Sequence, residues 1–375
     1  MKNPFFFGKM VEGNSFTDRE SETKRLISNF NNSINTILIS PRRWGKSSLV
    51  KKAGDLSQQE AGIKVVYLDA FAMRTELDFY KEFTQAVIKA SSTKWEDWVD
   101  LLKQSFKQIV PQIIMGTDPI NTFSVSFDWP EIEKSIHEIL NLPEKIAQSK
   151  NFRMVVCIDE FQNISSFQQP LAFQKQLRSV WQKHQLVSYC LYGSKFHMMQ
   201  ELFERQSMPF FRFGDLIHLD RISEKDWLDY INHQFAKTGK QIEESVAYRI
   251  ISSVNRHSYY VQQLSHLIWA KTDSVATPDV FDEALEDMLN QNAILYQRDT
   301  EDFSATQLNF LKAIASGETK NLSSSNILKQ YRLGTSANVT KIKKQLLNRE
   351  IIDIQKKEIS FIDPVYELWF KQEVL

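Results

Sequence analysis

The sequence predicts an α/β protein: a parallel, doubly wound sheet, then an all-helical segment, then a winged helix-turn-helix. Three observations carry this. Up to Asp220, short apolar runs rich in β-branched residues alternate with amphipathic helical stretches, the pattern of parallel strands joined by crossover helices. From Ser223 to Gln297 the apolar residues recur only at helical spacing. From Ser304 onward, three short helical patterns precede two strand-like runs split by the charged turn Gln355-Lys-Lys-Glu358, which is the order of a winged helix.

The elements follow in chain order. Residues 1–16 read as an extended lead, and Thr17-Asp18-Arg19-Glu20 as a capping box that opens a helix. Thr36-Ile-Leu-Ile39 is a buried strand, followed by a helix from Lys46 to Leu56. Ile63–Phe71 is the second strand, and Thr75–Ala90 and Trp95–Val110 are helices. Alternation over Phe123–Phe127 suggests a short edge strand, and Pro130 starts a helix through Ile146. Phe152–Ile158, Val187–Tyr192 and Leu216–Leu219 complete the strands, with a helix over Leu171–His184. These give a first domain over 1–222 with a helical insert at about 92–150, a helical lid over 223–297, a linker over 298–305 and a winged helix over 304–375.

Composition narrows the function. The chain has 375 residues with 46 basic and 46 acidic side chains. Zero net charge gives no global pull toward nucleic acid or anionic membrane, so such contact needs a local patch. It also permits association into homo-oligomers. Cys157 and Cys190 each sit in an apolar run, which reads as buried reduced thiols in a cytoplasmic protein. No apolar run is long enough for a membrane span, and the N-terminus lacks a secretory pattern. The seven histidines show no metal spacing, and no Gly-x-Ser-x-Gly elbow occurs. The tryptophans, among them Trp95, Trp98 and Trp129, read as packing residues.

The most informative segment is Ser40-Pro41-Arg42-Arg43-Trp44-Gly45-Lys46-Ser47, with Ser48 next. It follows an apolar strand and opens a helix, the setting of a phosphate loop. Backbone N–H groups of such a loop and helix start favour an anion. Gly45 lets the chain approach phosphates, Lys46 offers a point charge, and Ser47 offers a hydroxyl to Mg²⁺. Ser40 stands where the usual first glycine would be.

Met154-Val-Val-Cys-Ile158 leads into Asp159 and Glu160. Carboxylates at the C-terminal end of a buried strand lie where open α/β sheets bind ligands. Asp159 is expected to hold Mg²⁺ through water, and Glu160 to orient or deprotonate an attacking water. Ser194 emerges beside the loop if its strand lies between the first and third, and could sense a γ-phosphate. Gln162 and Arg212 are weaker candidates.

With Asn3-Pro-Phe5, Phe16-Thr-Asp-Arg-Glu20, the loop, Asp159-Glu-Phe-Gln162, Tyr192-Gly-Ser-Lys195, Pro209-Phe-Phe-Arg212 and Phe361-Ile-Asp-Pro364…Trp369, the chain resembles the archaeal-type ATPases of the STAND/AAA+ kind, in their bacterial version. The resemblance spans nearly the whole chain. It implies a P-loop NTPase core, a helical lid and a C-terminal winged helix, with ATP and Mg²⁺ bound. Trp44 stands where a smaller residue or tyrosine is usual, toward the adenine or ribose side. Asn255-Arg-His-Ser-Tyr-Tyr260 resembles the family's Gly-x-Pro-Tyr-Tyr motif with Ser258 in place of proline. Arg256 and His257 are read as structural.

In the last segment, Val339, Ile342 and Leu346 are spaced to pack inward, leaving Lys341, Lys343 and Lys344 to solvent; Lys356 and Lys357 lie on the wing. From Ser304 onward there are eleven basic and seven acidic residues, a net charge of +4. The expected function is an ATP-binding, ATP-hydrolysing regulatory switch with a protein partner. The alternative is an ATP-controlled DNA-binding regulator or DNA-processing partner acting through the winged helix. A scaffold that binds ATP without turnover is a third reading.

Overall fold

The computed structural model describes residues 2–8, 19–92, 94–106, 112–114, 124–126, 129–355 and 357–375. The chain packs as two compact units, one of residues 10–220 and one of residues 1–9 with 221–375.

In the first unit, helix α1 (Glu20–Asn31) precedes strand β1 (Thr36–Ile39), helix α2 (Lys46–Ala61), strand β2 (Lys64–Asp69) and helix α3 (Glu76–Ser91). Helix α4 (Trp95–Ser105), strands β3 (Gln112–Ile114) and β4 (Ser124–Ser126) and helix α5 (Trp129–Lys150) form the insert. Strand β5 (Met154–Asp159), a 3-10 helix (Phe161–Ser166), helix α6 (Pro170–Trp181), strand β6 (Val187–Gly193), helix α7 (Phe196–Glu204) and strand β7 (Asp215–His218) complete it.

Five strands pair in the order β2-β5-β6-β1-β7, all parallel. The central strands β1, β5 and β6 are almost wholly buried because both faces are covered, whereas the edge strands β2 and β7 carry charged residues at their ends. Successive side chains point to opposite faces. Ile37, Ile39, Val66, Leu68, Val156 and Ile158 join one core. Leu38, Val65, Val155, Cys157, Cys190 and Tyr192 join another, with Leu26 and Phe30 of α1 and Leu49 and Val50 of α2. Trp181 of α6 is buried and stacks on Tyr189 of β6 with centroids 4.1 Å apart. A truncation of such a side chain costs about 3–5 kcal/mol. Cys157 and Cys190 are buried, unbridged register partners.

Local chemistry sets the helix starts. Thr75 and Asp78 form a capping box at α3. At α1 the expected box differs: the helix begins at Glu20 behind Arg19, which has a left-handed backbone (φ 73°) and no side-chain cap bond. Thr17 lies outside the described residues. The run expected as an edge strand, Phe123–Phe127, contributes only β4, which pairs antiparallel with β3 apart from the main sheet. Trp98 is buried.

In the second unit, helices α8 (Glu224–Lys237), α9 (Glu244–Ser253), α10 (Ser258–Lys271) and α11 (Pro278–Glu301) form the helical segment expected as a lid. Strands β8 (Gln241–Ile242) and β9 (Val275–Ala276) pair parallel beside them. Ser223 caps α8 by accepting from Asp226 N. The winged helix comprises α12 (Ala305–Ala315), α13 (Ser325–Gln330), α14 (Ser336–Asn348), the antiparallel pair β10 (Ile352–Gln355) and β11 (Glu358–Phe361), and α15 (Pro364–Glu373).

Two expectations are corrected here. The polar run at 298–305 is not a linker, because α11 continues through Glu301. Its polar residues form the outer side of a helix held by buried Tyr296 and by Thr300, whose hydroxyl meets Tyr366 Oη at 2.7 Å. Residues 1–9 do not belong with the first domain. Phe5 is buried against Tyr230 and Phe235, and Asn3 Nδ2 donates to His266 O at 3.0 Å.

Lid and winged helix share one apolar core running from Trp227 and Ile250 to Leu346 and Phe370. Asp363 ties them at the polar level. Its Oδ1 accepts from Val365 N and Tyr366 N, capping α15, while Oδ2 accepts from the hydroxyls of Tyr260 and Tyr296. Among the described residues, no helix is long and apolar enough to cross a membrane.

Candidate active site

Ser40 directly follows β1 and is fully buried, its hydroxyl donating to Pro41 O at 2.9 Å. Arg42 and Arg43 are exposed. Arg43 (φ 64°) and Gly45 (φ 88°) are both left-handed and bracket Trp44. A Cβ at Gly45 would meet nothing within 4 Å, so its backbone conformation is what calls for glycine. The Trp44 indole is only 8% exposed and joins the core of Leu26, Phe30 and Leu38. There it anchors the loop from behind.

Lys46 opens α2 and is buried, as is Ser48, while Ser47 is half-buried. The first N–H groups of a helix have no intrahelical acceptor, so this turn presents donors at the C-terminal edge of the sheet. Ser47 Oγ donates to Asp159 Oδ2 at 2.6 Å, and Glu160 N donates to Asp159 Oδ1 at 2.8 Å. Burial raises the Asp159 pKa; Lys46, Ser47 and the Glu160 N–H oppose it without reversing it.

Glu160 follows β5 with a left-handed backbone (φ 47°, ψ 38°), a conformation that costs of order 1–3 kcal/mol in a non-glycine residue. Its carboxylate meets Lys46 Nζ at 3.5 Å through Oε1. Oε2 accepts from Ser194 Oγ at 2.8 Å, Ser194 N at 3.3 Å and Gln162 Nε2 at 2.6 Å. Burial works to raise its pKa, but Lys46, Gln162 and Ser194 outweigh burial and the net direction is down.

Sheet order explains the convergence. β6 lies between β1 and β5, so Ser194 emerges between the loop and the carboxylates, as the sequence condition required. Its hydroxyl is engaged with Glu160. Arg212 stays apart from this network: it is exposed, with its guanidinium 5.2 Å from the Phe211 ring centroid. Sequence reasoning missed Gly193, where an added Cβ would lie 1.9 Å from Gln162 Oε1. A glycine ending a strand of larger, buried residues was the available signal. No group of three or more His, Cys, Asp or Glu able to hold a metal ion occurs among the described residues. One hydroxyl and one carboxylate, both hard oxygen donors, nevertheless fit Mg²⁺, which typically binds through one or two carboxylates plus substrate phosphates.

Residues 294–372 match the family model of a probable winged helix domain. By structure, the chain is similar to a Walker-type ATPase of Pyrococcus abyssi, with a TM-score of 0.69 at 14% identity over 98% of this chain and 99% of that one. The chain has the P-loop NTPase fold. A second similar structure is the ORC2 protein of Aeropyrum pernix, solved as ADPNP–ADP complexes, with a TM-score of 0.56 at 15% identity over 98% and 96% of the two chains. No curated protein matches by sequence. In this P-loop fold the parallel sheet carries the loop and carboxylates just described, and the winged helix forms the C-terminal part.

Proposed function

We propose that this protein binds ATP with Mg²⁺ at the Ser40–Ser48 loop and hydrolyses it as a regulatory switch. The observation that carries the reading is the single contact network joining Lys46, Ser47, Asp159, Glu160 and Ser194 at one edge of the sheet. Loop N–H groups and Lys46 hold the phosphates. Ser47 and Asp159 hold the metal. Mg²⁺, when bound, supplies charge neutralisation at the phosphates. Glu160 takes a proton from water as its oxygen attacks the γ-phosphorus and the bond to the β-phosphate oxygen breaks, giving ADP and phosphate. Lys46 trades its Glu160 partner for phosphate, which frees the carboxylate for this work.

The output is the second unit. Its lid and winged-helix segments share a core, so nucleotide state acts on both together, and a protein partner reads the result in the cytoplasm. The near-zero net charge suits homo-oligomeric assembly. The test is equilibrium binding of a fluorescent ATP analogue. Lys46→Ala should abolish it, and undiminished affinity would overturn the loop assignment. A second reading, a DNA-binding regulator, is favoured by exposed Lys341 and Lys344 on α14.

A further inference from the structure

We propose that Gln162 is a positioning residue that holds the Glu160 carboxylate by one oxygen and keeps the other turned toward the phosphate loop. This rests on the hydrolytic reading given above. Gln162 is 1% exposed in the 3-10 helix after β5, with Nε2 2.6 Å from Glu160 Oε2. Ser194 adds its hydroxyl and its N–H to the same oxygen. Oε2 is therefore saturated, and Oε1, which faces Lys46 at 3.5 Å, is the oxygen left to receive a proton from water.

Two further observations show that the amide is placed for Glu160. The other end of the amide, Oε1, is buried with no hydrogen-bond partner among the described residues. Turning the amide over would set that oxygen against a carboxylate, so the orientation that serves Glu160 is kept although it leaves an acceptor unpaired. Space for the amide comes from Gly193, where a Cβ would lie 1.9 Å from Gln162 Oε1 and 2.9 Å from Met199 Sδ. A glycine on one strand thus seats a glutamine that grips the carboxylate ending the next. When Lys46 moves to phosphate, Gln162 and Ser194 are the contacts that still fix the carboxylate plane.

The test uses Gln162→Met, which keeps volume and removes the donor, and Gly193→Ala, which keeps the donor and displaces it. Each should lower kcat roughly 10- to 100-fold, as for a misplaced reacting group, with KM and Mg-ATP affinity within about twofold. The double variant should be no worse than the poorer single one, since both remove one contact. A folded Gln162→Met protein with parental kcat, or losses that multiply, would overturn the proposal. An unfolding double-mutant cycle of Gln162→Met with Glu160→Ala, which removes the acceptor, should show, without nucleotide, a coupling of about tenfold in the unfolding constant. Absence of coupling overturns the proposal even if the protein hydrolyses ATP. Coupling without any ATP turnover by the parent would instead overturn the hydrolytic reading while showing that Gln162 grips Glu160.

Discussion

The Ser47 hydroxyl donates to Asp159 Oδ2 at 2.6 Å, joining the first turn of α2 to the end of β5 across 112 residues of sequence. A hydroxyl and a carboxylate so close are two hard oxygen donors, which the proposed function assigns to Mg²⁺. Ser47→Ala should weaken nucleotide binding by about tenfold in Mg²⁺, the loss of one ligand, and leave binding in chelator nearly unchanged. Titration calorimetry under both conditions checks this; equal weakening in chelator would show that the hydroxyl contacts nucleotide instead of metal.

Glu160→Gln preserves shape and removes the proposed base. Mg-ATP binding should persist, while phosphate release falls by roughly 10²–10⁴-fold, the usual contribution of general base catalysis. Steady release at the parental rate would assign the proton transfer elsewhere.

Asp363 caps α15 and takes two tyrosine hydroxyls. Asp363→Ala should cost about 2–3 kcal/mol, combining a lost cap with the loss of a charged acceptor for two buried hydroxyls. Tyr260→Phe should cost about 1 kcal/mol. Urea unfolding gives both values; parental stability in Asp363→Ala would mean that the shared apolar core alone joins lid and winged helix.

His184 gives the molecule a pH signature. Burial lowers its pKa to about 4, with Glu144 pulling the other way, and its ring nitrogens meet Tyr189 Oη at 3.0 Å and Asn141 Oδ1 at 3.1 Å. A histidine in the unfolded chain titrates near ~6.5. Between these values the unfolded state binds the extra proton, so stability is fully present above ~6.5 and is lost as pH falls toward 4. The loss should reach about 2–3 kcal/mol from this one group. His184→Gln should flatten that limb of the stability profile, and an unchanged slope would refute the assignment.

The winged-helix lysines separate the two functional readings. Lys341→Glu with Lys344→Glu should change folding by under ~1 kcal/mol, because both side chains are exposed. If α14 lies on DNA, each lost phosphate contact flattens the salt slope by roughly 0.9. If it acts as a brake, DNA affinity is absent in both proteins and basal ATPase changes instead.

Much of the site was legible because its signals are local. Thr36–Ile39 and Met154–Ile158 are short β-branched runs, the loop of residues 40–45 leads from the first of them to Lys46, and Asp159 ends the second. What escaped depends on distant neighbours. Trp44 is one apolar residue in a loop, and the side it takes is decided by Leu26 and Phe30. The polarity of Arg298–Glu301 resembles a linker until Tyr296 and Thr300 meet Asp363 and Tyr366. Phe5 is an ordinary N-terminal aromatic until Tyr230 and Phe235 surround it. The spacing of Glu160 and Gln162 was visible, but the seat that Gly193 provides comes from another strand.

Helix α11 spans 24 residues, about 36 Å at 1.5 Å per residue, and contributes Phe281 and Met288 to the lid end of the core and Tyr296 to the winged-helix end. The boundary suggested by composition is therefore not a place where the chain can be cut. A fragment starting at 304 would leave Tyr296 and its helix behind and take from Asp363 Oδ2 and Tyr366 Oη the hydroxyls they meet. The smallest piece that keeps these contacts together begins near 221 and takes the first nine residues with it.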